Sequence, residues 1–219
     1  PYVAAITKTL ALIGRLRGKG FQITVLDIGG GYAADYEEGM SPLAADYAKA
    51  IVPLLAGSGL GVIIEPGRQI ACNAGILLTR VQYVKQGGDR KFVIVDAATT
   101  DLIRPALYGS EHFVYSAELP AGAEAPRRKL DFVPDGGQVV DIVGGVCETS
   151  DFLARNRALP PMRRGDLVAV FSAGAYGFVM ASQYNSRPRC AEVLVDGKGF
   201  RRIRRRETYD DLIAAELDV

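Results

Sequence analysis

The sequence predicts a parallel α/β segment followed by an all-β domain, and three observations carry that reading. Residues 1 to about 68 alternate helical and strand patterns joined by short connections, as parallel α/β units do. From Ala74 onward, short apolar runs are separated by Gly, Pro and Asp turns with no crossover helices, the pattern of an antiparallel barrel or sandwich. The third observation lies at two strand tips. Leu26-Asp27-Ile28 ends in Gly29-Gly30-Gly31-Tyr32, and Ile63-Ile64 ends in Glu65-Pro66-Gly67-Arg68. Functional groups of a parallel α/β sheet collect at the C-terminal ends of its strands, so these two tips read as one site on two buried strands. The division falls at residues 1–75 and 76–219, and the first part is too short to close a barrel by itself.

Each element follows from its pattern. Val3, Ile6, Leu10, Ile13 and Leu16 recur at a helical period and Gly18 and Gly20 close the run, predicting an amphipathic helix over residues 2–18. Residues 21–28 form the next strand. Ser41-Pro42 predicts a helix start, with Ser41 as the N-cap, and the helix runs to about Leu55 before Gly57-Ser58-Gly59. Residues 60–65 are the second strand. Six further strands are predicted at 76–85, 91–96, 127–133, 138–143, 166–172 and 191–195, with one closing helix at 209–217. Opening on a helix at Pro1, with no initiator Met, the sequence reads as the later part of something longer.

Composition narrows the function classes. A hydrophobic content of 48% over 219 residues suffices for a substantial core. No apolar stretch is long enough to span a bilayer and no export signal is visible, which gives a cytoplasmic protein. The three cysteines, Cys72, Cys147 and Cys190, are odd in number and lack CxxC spacing, so a disulfide framework or metal site is not expected and a reducing compartment is. A net charge of +1 argues against nucleic acid as the main partner. The basic run Arg201-Arg202-Ile203-Arg204-Arg205-Arg206 has no interleaved aromatics and reads as a solvated strand or turn near Glu207, Asp210 and Asp211.

Several constellations carry chemistry. Three glycines at a strand tip expose backbone N–H groups with no Cβ in the way, which suits a phosphate. With Ala34 they also fit G-x-G-x-x-A. However, no helix opens within the motif, the acidic loop Asp35-Tyr36-Glu37-Glu38 intervenes, and a dinucleotide fingerprint is rejected. Glu65 and Arg68 flank a Pro66-Gly67 kink and are either a functional acid and base or a structural ion pair. Cys147-Glu148-Thr149-Ser150-Asp151 places a thiol among carboxylates after a glycine turn, where a cysteine is either core filler or an acid. Arg104-Pro105-Ala106-Leu107-Tyr108 and Ala173-Gly174-Ala175-Tyr176-Gly177 each set a large polar tip among small residues, as a pocket wall does. His112, the only histidine, lines the same pocket or is a surface or hydrogen-bonded structural residue.

Taken together and in order, LDIGGGY (26–32), EPGR (65–68), IRPALYGSEH (103–112), CETSDFLA (147–154), the run from Gly165 to Arg189, EVLVDG (192–197) and RRRETYDDL (204–212) resemble the fold-type III pyridoxal-phosphate decarboxylases, their diaminopimelate-acting branch above all. The resemblance implies the second part of an eight-stranded α/β barrel that binds the cofactor, followed by an antiparallel β-barrel domain. It also implies a homodimer with shared sites, completed by a missing N-terminal barrel half. By motif matching, Gly29, Gly30 and Gly31 hold the cofactor phosphate, and Glu65, with Pro66, Gly67 and Arg68 at the same tip, faces the pyridine nitrogen. Arg68, Arg104 and Tyr108 grip the amino-acid substrate, Glu148 takes its distal amino end, and Tyr176 contacts cofactor and substrate. Cys147 is the proton donor, reaching with Glu148 into the partner's site. The activity implied is decarboxylation of meso-2,6-diaminopimelate to lysine. Its alternatives are an ornithine, arginine or carboxynorspermidine decarboxylase, or a non-catalytic dimerising module. The family's cofactor-bearing lysine has no counterpart among Lys8, Lys19, Lys49, Lys85, Lys91, Lys129 and Lys198.

Overall fold

A computed structural model describes residues 1–32, 34, 36, 41–119 and 121–217. The acidic positions Asp35, Glu37 and Glu38 lie outside the described residues. The chain divides into two compact units, the first holding described residues up to 34 and from 41 to 72, the second Tyr36 and residues 73–217.

In the first unit, α1 (Tyr2–Arg17) turns its buried Ile6 and Ile13 to one side and leads into β1 (Val25–Gly30). α2 (Ala44–Leu55) follows, then β2 (Gly61–Glu65) and the short α3 (Gly67–Ala71). β1 and β2 pair in parallel, as expected of a helix-strand-helix-strand run. Two expectations are corrected. The helix starts at Ala44 behind Leu43, with no side-chain cap, rather than on Ser41-Pro42. β2 is exposed along its whole length, because β1 is its only partner strand among the described residues, and Val62, Ile63 and Ile64 remain open.

The second unit is built on a six-stranded sheet ordered β5-β8-β3-β4-β6-β7. Its strands are β3 (Leu77–Gly87), β4 (Arg90–Val95), β5 (Val114–Ser116), β6 (Gln138–Val143), β7 (Phe152–Leu159) and β8 (Leu167–Val170), with α4 (Arg104–Tyr108) between β4 and β5. The edge strands β5 and β7 come close to one another, so the sheet is nearly closed. It is mixed rather than purely antiparallel: β4 and β6 run parallel, Val93 opposite Ile142, because the long connection through α4 and β5 allows a crossover. Residues 127–133 do not form the expected strand. Lys129 and Phe132 donate to the carbonyls of Arg127 and Lys129 in local turns, while Phe132 packs edge-on to Tyr115 and Arg128 covers Phe171.

Val81, Val93, Val95, Leu102, Ile142, Leu153, Leu159, Val168 and Val170 form the core of this unit. Full burial of each such side chain contributes about 1.5–3 kcal/mol. The last part holds the antiparallel hairpin β9 (Glu192–Asp196) and β10 (Gly199–Arg204), then α5 (Tyr209–Ile213), which opens on a capping box between Thr208 and Asp211. The basic run is largely on this exposed strand, with Arg204 paired to Glu192 and Arg205 to Asp211. Among the described residues no helix is long and apolar enough to cross a membrane.

Leu102 is fully enclosed in the core, so Leu102→Ala leaves a cavity that the surrounding strands cannot fill. We expect a loss of about 2–5 kcal/mol, read as a lower urea midpoint of the full-length protein.

Candidate active site

The two glycine-rich and acidic tips are neighbours. β1 and β2 are registered so that Gly30 lies opposite Glu65, and the approach is so close that a Cβ on Gly30 would sit 2.0 Å from the Glu65 carbonyl oxygen. Only glycine fits there. Gly29 and Gly31 have φ of 70° and 86°, a left-handed backbone that side chains disfavour. Side chains fix the turn from three directions. The Asp27 carboxylate accepts the Gly29 N–H at 2.8 Å, the Tyr2 hydroxyl donates to the Gly30 carbonyl at 2.9 Å, and Arg68 Nη2 donates to the Gly31 carbonyl at 2.7 Å. Arg68 thus gives one of its five N–H donors to the glycine turn. No ion pair joins it to Glu65 among the described residues, which removes the structural-pair reading of that tetrapeptide. Glu65 itself is exposed, and the space above Gly29 is open.

In the second unit the sequence's pocket-wall residues converge on Arg104. Its guanidinium carbon lies 5.2 Å from the Tyr36 ring centroid, 5.6 Å from Tyr108 and 5.4 Å from Tyr176. The side chain is only 8% exposed, yet among the described residues its one hydrogen bond is from Nη2 to Ser110 Oγ at 3.2 Å, Nε has no partner and no carboxylate pairs with it. A buried guanidinium held by aromatic faces keeps its hydrogen-bonding directions for something else. α4 delivers Arg104 at its first turn with Pro105 next to it, and ends on Gly109 in the left-handed region at φ 61°. Tyr176 is itself strained, at φ 59°, and the following Gly177 has room for no side chain, since a Cβ would lie 2.3 Å from the Ala173 carbonyl oxygen.

His112 is fully buried beside this cluster. Its Nδ1 is 2.9 Å from the Phe171 carbonyl, and its ring meets Tyr36 edge to face at 5.2 Å. An acceptor at Nδ1 makes that nitrogen the donor in the neutral ring. Burial pushes the imidazole pKa down, the Phe171 carbonyl raises it in part, and the positive Arg104 lowers it further. His112 is thus both the hydrogen-bonded structural residue and a neighbour of the pocket wall.

Cys147 and Glu148 stand exposed on the loop after β6. Glu148 turns back on its own loop, its Oε1 accepting from Thr149 N at 2.9 Å and Thr149 Oγ1 at 3.1 Å. Sequence reasoning missed Tyr36 as an Arg104 partner, since nothing local announces a contact across so much chain, and it named Asp151 only as part of a cluster.

The sequence model of the family described as "Pyridoxal-dependent decarboxylase, C-terminal sheet domain" matches residues 2–174. The chain belongs to the pyridoxal-dependent decarboxylases. Diaminopimelate decarboxylase of Pseudomonas aeruginosa is 50% identical over 216 residues, covering 99% of this chain and 49% of the relative. That of Aquifex aeolicus is 44% identical, covering 100% of the chain and 49% of the relative. The crystal structure of diaminopimelate decarboxylase from Helicobacter pylori complexed with L-lysine superposes with a TM-score of 0.85 at 36% identity, over 100% of this chain and 51% of that one. The chain spans about half the length of the curated relatives it matches.

The residues present fit the cofactor from which the family takes its name. The glycine turn is clear of side chains at the open face of Gly29, as a phosphate requires, and the exposed Glu65 presents its carboxylate from the adjoining strand.

Because burial lowers the His112 pKa, the unfolded chain binds the proton more readily than the folded one. Stability is full above about pH 6.5, the unfolded value, and falls as pH drops from there toward the folded pKa. Urea titrations between pH 7 and 5 should show that slope in the wild type and a shallower one in His112→Gln.

Proposed function

We propose that this chain is the C-terminal half of a diaminopimelate decarboxylase that releases CO2 from meso-2,6-diaminopimelate to give L-lysine, a step of amino-acid biosynthesis. Arg104 is the observation that carries the reading. It is a buried cation with an unpartnered Nε and no carboxylate partner among the described residues, and a substrate with a second, distal carboxylate is what would complete it. Ornithine and arginine carry no such group, which places the polyamine-forming relatives second. A non-catalytic module would have no chemical use for the exposed Glu65 opposite Gly30.

When bound, pyridoxal phosphate supplies the sink for the electron pair left behind as CO2 departs. Gly29, Gly30 and Gly31 would hold its phosphate at a turn whose Gly29 face is open, with Arg68 fixing the turn, and Glu65, just ahead of the Pro66-Gly67 kink, would face the ring nitrogen. A carboxylate there keeps that nitrogen protonated. Arg104 takes the distal carboxylate and Tyr108 and Tyr176 wall the pocket, with Tyr176 also reaching the cofactor. Glu148 pairs with the distal ammonium. Cys147 Sγ gives its proton to the carbon that has lost CO2, and solvent restores the thiol.

The working assembly proposed is a homodimer with shared sites. Its support is the exposed position of Cys147 and Glu148, as expected of groups serving another subunit. The rest of the barrel is proposed to cover the first unit's apolar groove of about 610 Å³ between α2 and β2, which includes Ile51, Val52, Leu55, Val62 and Ile64. The odd count of three cysteines without CxxC spacing supports a cytoplasmic setting.

The full-length Arg104→Ala enzyme should lose about a hundredfold or more in kcat/KM for diaminopimelate while its trace activity on lysine or ornithine stays level or rises. Equal losses on all substrates would make Arg104 a structural residue and defeat the substrate assignment. In Glu65→Gln, kcat should fall by roughly a hundredfold with cofactor affinity little changed, measured by turnover and by cofactor titration; unchanged turnover would remove Glu65 from the chemistry.

A further inference from the structure

We infer that Asp151 is a positioning residue whose carboxylate staples the Cys147–Glu148 loop to the turn at residues 97–102 and so sets where thiol and acid are presented. The inference rests on the roles proposed above for Cys147 and Glu148. Asp151 is 6% exposed, and no salt bridge compensates it among the described residues. Each of its oxygens instead accepts one backbone N–H: Oδ1 from Thr99 at 2.8 Å, Oδ2 from Val146 at 2.7 Å. Bonds of a carboxylate to amide N–H groups are charge-assisted and strong in a buried setting.

The two amides belong to different parts of the fold. Val146 immediately precedes Cys147. The Glu148 N–H returns to the Val146 carbonyl at 2.8 Å and the Asp151 N–H to the Glu148 carbonyl at 3.1 Å, so the thiol sits in a tight turn whose two ends both lead to Asp151. Thr99 lies in the turn that precedes Arg104. There Asp101 accepts the Ala98 N–H at 2.9 Å, and the Leu102 N–H donates to the Ala98 carbonyl at 3.2 Å. The same turn also holds the segment after Tyr176, because the Ser182 N–H donates to the Thr100 carbonyl at 2.9 Å. The segments bearing Arg104, Tyr176 and Cys147 thus share one anchor, and Asp151 is the link for Cys147.

The space left for that link is specific. A Cβ on Gly144 would lie 2.5 Å and 2.6 Å from the two Asp151 oxygens and 2.7 Å from Ala98 Cα, so the glycine after β6 makes room for the carboxylate. Asparagine would keep one acceptor and turn an amide against the other N–H, while alanine would leave both buried N–H groups unpaired.

The proton step balances simply. The Cys147 S–H bond breaks, a C–H bond forms at the carbon that lost CO2, and the thiolate regains a proton from solvent. A displaced thiol lets solvent protonate that carbon from either side.

The test uses the full-length holoenzyme with Asp151→Asn, and Gly144→Ala as a second variant that retains Asp151 but crowds its oxygens. In D2O, wild type should place deuterium at the decarboxylated carbon with one stereochemistry, whereas both variants should give a mixture, with kcat lowered roughly ten- to a hundredfold. Alkylation of Cys147 by iodoacetamide, followed by peptide mapping with Cys190 as internal reference, should be faster in both. Variants that lower the urea midpoint but leave alkylation rate and stereochemistry at wild-type values would reduce Asp151 to a structural residue and overturn the inference. Cys147→Ala separates the two proposals. If that variant keeps a single stereochemistry while Asp151→Asn still frees the thiol, Cys147 is not the proton donor and the staple stands.

Discussion

A buried turn must find acceptors for its amide groups, and the turn at residues 97–102 finds them in two aspartates. Thr99 and Thr100 are both buried, so water is not available to take their place. Asp101 satisfies the turn from within, and Asp151 satisfies it from the far side of the β6–β7 connection. Arg187 adds a third tie, its Nε donating to Thr100 Oγ1 at 3.3 Å. What looks in the sequence like three separate motifs is one anchored constellation, because an unsatisfied amide at that depth would cost on the order of 1–3 kcal/mol.

Arg104 stands at the opposite extreme of satisfaction. Tyrosine faces attract a guanidinium without occupying its N–H groups, so the cluster stabilises the charge while keeping it available. Among the described residues no carboxylate pairs with Arg104; such a partner is the commoner solution for a buried arginine and would occupy those N–H groups. His112 contributes by staying neutral: a second cation beside the Tyr36 ring would compete with Arg104 for it, and burial together with the Arg104 charge keeps the imidazole pKa low. Nearer the C-terminus the opposite choice is made. Glu207 accepts from Arg189 and Gln183, and the Arg189 hydrogen bond is the largest reason its pKa drops to about 2.

Local backbone requirements are what the sequence determined. Gly30 is glycine because a neighbouring strand's carbonyl occupies its Cβ position, and the run of three glycines followed later by Glu65 was enough to place two parallel tips side by side. Helical periodicity gave α1, and short apolar runs gave β3, β4, β6 and β8, since both follow from which face must be buried. β7 escaped notice because it breaks its own alternation: Asn156 sits at φ 52°, held there by its N–H on Asp141 at 2.8 Å. Residues 127–133 carry a strand-like pattern, yet a strand exists only where an edge accepts it, and there Phe132 and Arg128 cover aromatic rings instead. Pairing of β4 with β6 in parallel, the Tyr36 ring over Arg104, and Asp151 reaching Thr99 were decided by tertiary structure alone. Each joins residues far apart in the chain, and no local propensity or spacing encodes which distant partner will satisfy a buried charge or amide.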